Sequence, residues 1–222
     1  MTAKKTKSPK SKAKSNKVTA SSVQEAQLLK KLIERKGITL WDPSAVVATV
    51  LSVGRIPFAP GTWGSLAGVV FFPLFLIPPL YVNQLMPSPL LILVLSLSIL
   101  VLLYSIGVMA IKTYQTKTKT SDAPEIVYDE FFGQILTYCI AYTGLFLITK
   151  INFLIADRQQ ALVYEFVPFI FFRLFDVCKP WPINIIDRKE NSAWGVMFDD
   201  VVAAVYAAAA SIVVFLVMSH YI

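Results

Sequence analysis

Acidic side chains that could hold a metal ion stand at the starts of two long apolar segments. Asp129 and Glu130 open one apolar run, and Asp199 and Asp200 open another. Mg²⁺ prefers oxygen ligands and commonly binds together with phosphate groups. Four carboxylates held close together would repel one another unless a cation lay between them. We therefore predict a divalent-cation site formed by all four acids, although acids in a first helical turn can also serve only as caps.

Cationic residues that could bind a phosphate close a third apolar run. Arg173 and Asp176 are three residues apart and share a helical face, and Lys179 follows. Such a pair can simply anchor a helix end at a membrane interface. Its functional interpretation is a guanidinium that grips phosphate oxygens, with Lys179 adding a point charge. Asp176 would then position Arg173 or act as a base or nucleophile.

A glycine-containing loop leads into the first apolar run. Its residues are Pro60, Gly61, Thr62, Trp63, Gly64 and Ser65. Gly61 and Gly64 permit unusual backbone conformations, and Thr62 or Ser65 can cap a helix whose N-terminus attracts anions. We expect this loop, Arg55, Arg173 and Lys179 to bind the substrate phosphate. Trp63 also fits the interfacial belt of a membrane protein.

Several phosphatase mechanisms lack their residues in this sequence. The single His is His220, so a pair of catalytic histidines is excluded. Neither Cys139 nor Cys178 is followed by Arg at the sixth position, and neither an Asp-x-Asp motif nor a Gly-Lys-Ser/Thr phosphate loop occurs. Metal-assisted attack of water on a phosphoester remains.

Composition indicates a membrane protein with a separate basic tail. Of the 222 residues 55% are hydrophobic and 16% are charged, fewer charges than a soluble domain carries. Residues 1–36 hold 11 Lys and Arg residues against two acids, whereas the rest holds 10 basic and 12 acidic residues. We predict a disordered tail over residues 1–22 and one helical membrane domain over 23–222. No aromatic residue interleaves the lysines, so nucleic-acid binding is not expected.

Apolar runs predict an all-α, polytopic membrane bundle with about four to five apolar helices. The runs are Ser65–Val82, Pro89–Ile111, Phe131–Ile148, Ala161–Phe175 and Val201–Ser219, preceded by an amphipathic helix at Gln24–Gly37. Pro78-Pro79 should break the first helix, and Gly64-x-x-x-Gly68 should let it pack closely. Ala161–Phe175 holds Glu165 and Pro168, so a kinked span and a re-entrant segment are both open.

The distribution of Lys and Arg predicts the orientation. With the basic N-terminus in the cytoplasm, Lys112, Lys117 and Lys119 lie inside, and only Lys150 and Arg158 lie outside. All the candidate site residues then face the cytoplasm. We expect a multi-pass protein of the bacterial cytoplasmic (inner) membrane.

Four segments together resemble the phosphatidylglycerophosphatase A family. They are Gly54–Ser65, Tyr128–Gly133, Phe172–Ile183 and Gly195–Ala207, and they occur in the order of the family's motifs over roughly residues 45–215. The resemblance implies an all-helical fold and Mg²⁺-dependent removal of the terminal phosphate from phosphatidylglycerophosphate, which gives phosphatidylglycerol.

The resulting hypothesis is a lipid phosphatase that acts on an anionic phospholipid at the inner leaflet. Asp129, Glu130, Asp199 and Asp200 hold Mg²⁺, and Arg173 and Lys179 neutralise the phosphate. Alternatives are a phosphatase for phosphatidate or a polyprenyl phosphate, a cation transporter, and a structural membrane protein without metal dependence.

Overall fold

The computed structural model describes residues 38–39, 41–120, 123–149, 158–185 and 192–221. The predicted tail of residues 1–22 and the predicted helix at Gln24–Gly37 lie outside these ranges. Contacts group Leu40–Ile222 into one unit, which contains every element considered below. The described residues form helices and turns, with no strand among them, so the predicted all-α fold is confirmed.

Six α-helices and one 3₁₀ turn lie wholly within the described residues, and residues 183–185 add a further helical turn. The six helices and the 3₁₀ turn are α1 (Pro43–Ala48), the 3₁₀ turn (Val53–Arg55), α2 (Pro60–Leu85), α3 (Pro89–Thr118), α4 (Tyr128–Thr149), α5 (Arg158–Cys178) and α6 (Ala193–Tyr221). Helices α2, α3, α4 and α6 are long and apolar enough to cross a membrane. This is a multi-pass helical bundle, as predicted.

Local sequence explains where several helices begin. Pro60 and Pro89 stand at the starts of α2 and α3, where a missing N–H costs nothing. Asp42 caps α1 by accepting a hydrogen bond from the Ser44 backbone N–H at 3.0 Å. A 2.6 Å ion pair with Lys117 ties this cap to the end of α3. The hydrogen bond from Lys117, helped by Ser44, lowers the pKa of Asp42 to about 2.

The predicted break at Pro78-Pro79 is wrong. Helix α2 contains Pro73, Pro78 and Pro79 and continues to Leu85. A proline removes one intrahelical hydrogen bond, but ending the helix inside lipid would leave more backbone groups without partners. Inside lipid, a continuous helix that lacks some hydrogen bonds at its prolines therefore costs less than a helix that ends there.

Helix α5 runs antiparallel to α4 along the length of the bundle. The Tyr138 hydroxyl donates to the Glu165 carbonyl oxygen at 2.6 Å, and the Tyr142 hydroxyl donates to the Tyr164 carbonyl oxygen at 2.8 Å. Later residues of α4 thus meet earlier residues of α5. Because α5 has 21 residues in one helix, it extends over about 31 Å. This is the length of a membrane span, but α5 is not among the helices apolar enough to cross a membrane, so a kinked span and a re-entrant segment both stay open.

Glycines bring the start of α2 against the start of α4. A Cβ atom on Gly64 would lie 2.7 Å from Val127 Cβ, and one on Gly68 would lie 2.8 Å from the Phe131 carbonyl oxygen. Both distances are too short for a real side chain. The close approach predicted from Gly64-x-x-x-Gly68 is confirmed, and it fixes the N-terminal turn of α4.

An aromatic core deeper in the bundle holds the helices in register. Phe72 of α2 packs against Tyr138 of α4, with ring centroids 5.0 Å apart. Tyr164 of α5 meets Phe215 of α6 edge to face, with centroids 4.8 Å apart. Such contacts bury large apolar areas in specific geometries. A Cβ atom on Gly133 of α4 would meet Phe172 near the end of α5 and Asp200 near the start of α6, so the starts of α2, α4 and α6 lie beside the end of α5.

Candidate active site

Three carboxylates from two helices converge at that shared end. Asp129 and Glu130 come from the first turn of α4 and Asp200 comes from α6, and one oxygen of each lies within 4.8 Å of the others. Asp129 Oδ1, Glu130 Oε2 and Asp200 Oδ2 are buried and have no hydrogen-bond partner in the described part of the chain. A buried acceptor without a partner costs about 1–3 kcal/mol. Converging, unpartnered oxygens are a donor set that fits a hard divalent cation such as Mg²⁺.

The acids of α6 do not cap their helix. Sequence placed Asp199 and Asp200 at a helix start, but α6 begins at Ala193 and its first turn contains no acid among the described residues. Both acids lie in the second turn, where few free backbone N–H groups remain to donate hydrogen bonds to their carboxylates. Both are also buried, with 6% and 3% of their surface exposed. Capping therefore does not explain why they are there.

Asp199 is engaged by a cation. Lys179 Nζ lies 2.7 Å from Asp199 Oδ2, and a second Asp199 oxygen accepts from the Asp200 backbone N–H at 3.1 Å. The structure thus places this predicted metal ligand in an ion pair and outside the group of three converging carboxylates. Lys179 has a left-handed backbone (φ 40°), a costly conformation for a non-glycine residue.

Arg173 is held by two partners and keeps one donor for a ligand. Its Nη1 donates to Asp176 Oδ2 at 2.6 Å and to Ser65 Oγ at 3.1 Å. Its Nε is buried and has no hydrogen-bond partner among the described residues. A guanidinium fixed on one edge presents the other edge in a defined orientation, which suits phosphate oxygens. Asp176 is placed to orient Arg173.

The first turn of α2 lies against this group. A Cβ atom on Gly61 would collide with Glu130 Oε1 and would lie 3.2 Å from Arg173 Nη2. A larger residue at this position would have to displace the ends of the Glu130 and Arg173 side chains. The N-terminus of a 26-residue helix carries partial positive charge. That end of α2 favours an anion at the site.

The segment predicted as a phosphate-binding loop is the first turn and a half of α2. Within this segment, Gly61 lies against Glu130 and Arg173, and the Ser65 hydroxyl accepts from Arg173. Gly64 packs against Val127, and Trp63 is 41% exposed. The remaining members, Pro60 and Thr62, are half-buried at the helix start. Arg55, predicted to bind phosphate, lies beside Tyr114, whose hydroxyl donates to Glu125 at 2.9 Å.

Within the group of side chains that form the candidate site, the described acids outnumber the described cations. The acids are Asp129, Glu130, Asp176, Asp199 and Asp200, and the cations are Arg173 and Lys179. Two ion pairs use both cations and leave three carboxylates, which repel one another when ionised. A bound divalent cation would relieve this repulsion. Of the four acids that the sequence predicted as one cluster, three converge and the fourth, Asp199, forms an ion pair with Lys179.

Sequence reasoning missed Gln134. This residue lies four positions after Glu130 in α4 and is fully buried. The feature that could have identified Gln134 is its polar side chain within an apolar run, a placement that is uncommon unless the residue has a function.

Replacing Gly61 with Ala should displace Glu130 and Arg173, because the new methyl group occupies their space. We expect phosphate release to fall by about 10²-fold, the effect of a small misplacement of catalytic groups. Helix content measured by circular dichroism should be retained. The matched control is Gly144→Ala in the second half of α4, where the methyl group meets only the flexible end of Ile212. Equal losses in both variants would contradict a specific role for Gly61.

The fold and the site define a multi-pass helical protein with carboxylates and cations gathered at one end of its bundle. A family model described as Phosphatidylglycerophosphatase A matches residues 46–215. The chain belongs to this family, and the predicted resemblance is confirmed. No solved structure matches the chain.

Curated relatives agree with the family assignment. Phosphatidylglycerophosphatase A of Haemophilus influenzae is 31% identical over 174 residues, which cover 78% of this chain and 88% of the relative. Phosphatidylglycerophosphatase A of Escherichia coli is 29% identical, with 79% and 86% covered. A Bacteroides thetaiotaomicron protein, whose name gives phosphatidylinositol-3-phosphatase as a provisional activity, is 25% identical, with 73% and 87% covered.

Proposed function

We propose that this protein is a Mg²⁺-dependent lipid phosphatase. It hydrolyses the terminal phosphomonoester of phosphatidylglycerophosphate to phosphatidylglycerol and inorganic phosphate. The family and the names of two relatives support the reaction. The observation that carries the proposal is the convergence of three carboxylates, each with one buried oxygen that has no hydrogen-bond partner among the described residues, near a guanidinium whose Nε also has none.

The three converging carboxylates of Asp129, Glu130 and Asp200 would hold the cation. When bound, Mg²⁺ supplies positive charge to the phosphoryl oxygens and acidifies the attacking water. The protein fixes the position of this charge, because Asp129 and Glu130 belong to a helix start clamped against α2. Asp200 reaches the same point from α6. Such preorganised charge is worth more in a water-poor site than in bulk water.

Cationic side chains would hold the phosphate. Arg173 donates from its free edge, while Asp176 and Ser65 keep the guanidinium in place. Lys179, oriented by Asp199, adds a second positive charge. During hydrolysis a water oxygen bonds to phosphorus and the bond from phosphorus to the glycerol oxygen breaks. The departing oxygen takes a proton from solvent, the attacking water gives one proton up to solvent, and phosphate leaves with the water oxygen.

The site would face the cytoplasm. Lys112 and Lys117 lie in the last two turns of α3, the end that the Lys117–Asp42 ion pair joins to the cap of α1. The same end of α3 meets α4 near its start, because Gly107 packs against Tyr128. Lys and Arg mark the cytoplasmic side of a membrane protein. These placements support a site at the cytoplasmic face of the bacterial inner membrane.

A cation pathway is not supported by the described spans. The ionisable Asp, Glu and Lys residues of α3, α4 and α6 lie near the site end of each helix, at Lys112, Lys117, Asp129, Glu130, Asp199 and Asp200, and Glu165 of α5 is a single carboxyl deeper in the bundle. A transport route through the bilayer would place such groups at several depths. The arrangement fits chemistry at the membrane surface.

A panel of purified lipid phosphates tests the proposed reaction. Purified protein in mixed micelles is supplied with phosphatidylglycerophosphate, phosphatidate, a polyprenyl phosphate or phosphatidylinositol 3-phosphate, and released phosphate is measured with Mg²⁺ or with EDTA. We expect the fastest release from phosphatidylglycerophosphate and none with EDTA. Faster release from another lipid would overturn the substrate assignment, and undiminished release with EDTA would overturn the metal requirement.

A further inference from the structure

Gln134 is a buried amide whose polar atoms have nothing to bind. The side chain is 0% exposed, and both Nε2 and Oε1 are buried without a hydrogen-bond partner in the described part of the chain. An amide removed from water in this way is costly, because it loses hydrogen bonds on both its donor and acceptor sides. This cost in folding free energy arises on α4, one helical turn after Glu130 of the candidate cation site.

The position of Gln134 connects it with Glu130. Residues four apart on a helix share a face, so the two side chains are neighbours on α4. Both face α2: Gly61 of α2 lies against Glu130, and Gly68 lies against the Cβ and Cγ atoms of Gln134. Gln134 and Glu130 thus lie one helical turn apart on the face of α4 that packs against α2, and each has a buried polar atom without a hydrogen-bond partner among the described residues.

The two sets of unpartnered atoms complement each other when a hydrated cation is present. Carboxylates accept hydrogen bonds and cannot satisfy the Gln134 Oε1 acceptor. Water can, because a water on a bound cation would be able to donate to Oε1, and Nε2 would then donate to a carboxylate or a second water. Buried waters typically bind three such groups. Residues that orient metal ligands in this way commonly tune metal affinity.

We propose that Gln134 is a positioning residue of the cation site, which it serves by holding Glu130 and a water of the bound cation. This rests on the proposed function, because it assumes that the three carboxylates hold Mg²⁺. Gln134 does not touch the phosphate. Its role is to set the affinity of the site for the cation, and its amide is satisfied only when the site is filled.

Replacing Gln134 with Met separates this role from a structural one. Methionine has a similar shape and no amide, so the metal-free protein should melt at the same or a higher temperature. The MgCl₂ concentration that half-maximally raises the melting temperature should increase about 10–100-fold. The measurement is thermal unfolding of the purified full-length protein in detergent across a MgCl₂ series, with no substrate present. Gln134→Glu retains acceptor oxygens and should bind Mg²⁺ more tightly than Gln134→Met.

Thr137→Val provides the matched control. Thr137 is fully buried on the same helix, but its hydroxyl already donates to the Gly133 carbonyl oxygen at 2.8 Å. This variant should keep the wild-type Mg²⁺ dependence. A Gln134→Met protein that melts lower without metal yet responds to Mg²⁺ like the wild type would overturn the inference and leave the proposed function standing. A wild-type protein that shows no response to Mg²⁺ would overturn both.

Discussion

Replacing Asp129 or Asp200 with Asn should lower Mg²⁺-dependent phosphate release by about 10²–10³-fold, the loss expected when one preorganised charged group is removed from a site. Asparagine keeps the shape of aspartate but provides one neutral oxygen in place of a carboxylate. The cation would lose both a charged ligand and part of the field that holds it. Initial rates on phosphatidylglycerophosphate in mixed micelles, measured over a range of MgCl₂ concentrations, check this expectation.

Stability should change in the opposite direction from activity. Either substitution removes one of three mutually repelling carboxylates, so the metal-free variants should melt no lower than the metal-free wild type. The matched control is Asp42→Asn, which removes an acid at the site end of the bundle that pairs with Lys117 and takes no part in the cluster. Folded Asp129→Asn and Asp200→Asn proteins with wild-type rates would contradict the assignment of these residues.

The second large effect is expected at Arg173. Lysine carries the same charge on a single nitrogen, so that atom cannot occupy both the Nη1 position beside Asp176 and Ser65 and the separate Nε position. We expect Arg173→Lys to reduce kcat/KM for phosphatidylglycerophosphate by about 10²-fold, and Arg173→Ala by more, since Ala also leaves Asp176 without its partner. Steady-state kinetics at saturating MgCl₂ provide the measurement.

The control for this experiment is a substitution outside the site that keeps the positive charge. Lys117→Arg alters a cation at the end of α3 whose partner is Asp42, and its kinetics should match the wild type. If Arg173→Lys were equally harmless, a role for the guanidinium geometry would be wrong. A simple positive charge would then be sufficient.

The main features of the fold could be predicted because they depend on local sequence. Apolar runs of span length identify membrane helices by composition alone. The small residues of Gly64-x-x-x-Gly68 predicted a close helix contact, which exists between α2 and the start of α4. The prolines of α2 led to a wrong prediction because the hydrogen bonds they remove cost less than ending the helix inside lipid. The surrounding solvent decides this balance, and no local motif contains that information.

The rotation of α6 could not be predicted from sequence. Adjacent helical residues point about 100° apart, so Asp199 and Asp200 must face different neighbours. Asp199 meets Lys179 and Asp200 meets the acids of α4. The choice depends on how α6 packs against α5, where Ala203 and Ala204 are fully buried beside Phe172. The residues that form these contacts are distant in sequence. The same is true of Gly68 and Gln134, which contact each other where Gln134 is buried.

Direct counting of bound cations tests the central claim most plainly. Mn²⁺ can replace Mg²⁺ at an oxygen-rich site, and electron paramagnetic resonance distinguishes free Mn²⁺ from bound Mn²⁺. In titrations of the purified protein without substrate, we expect saturable binding to the wild type, competition by Mg²⁺, and strongly weakened binding to Asp129→Asn and Asp200→Asn. Binding to either variant with wild-type affinity, or no saturable binding to the wild type, would contradict a cation site made by the carboxylates of α4 and α6.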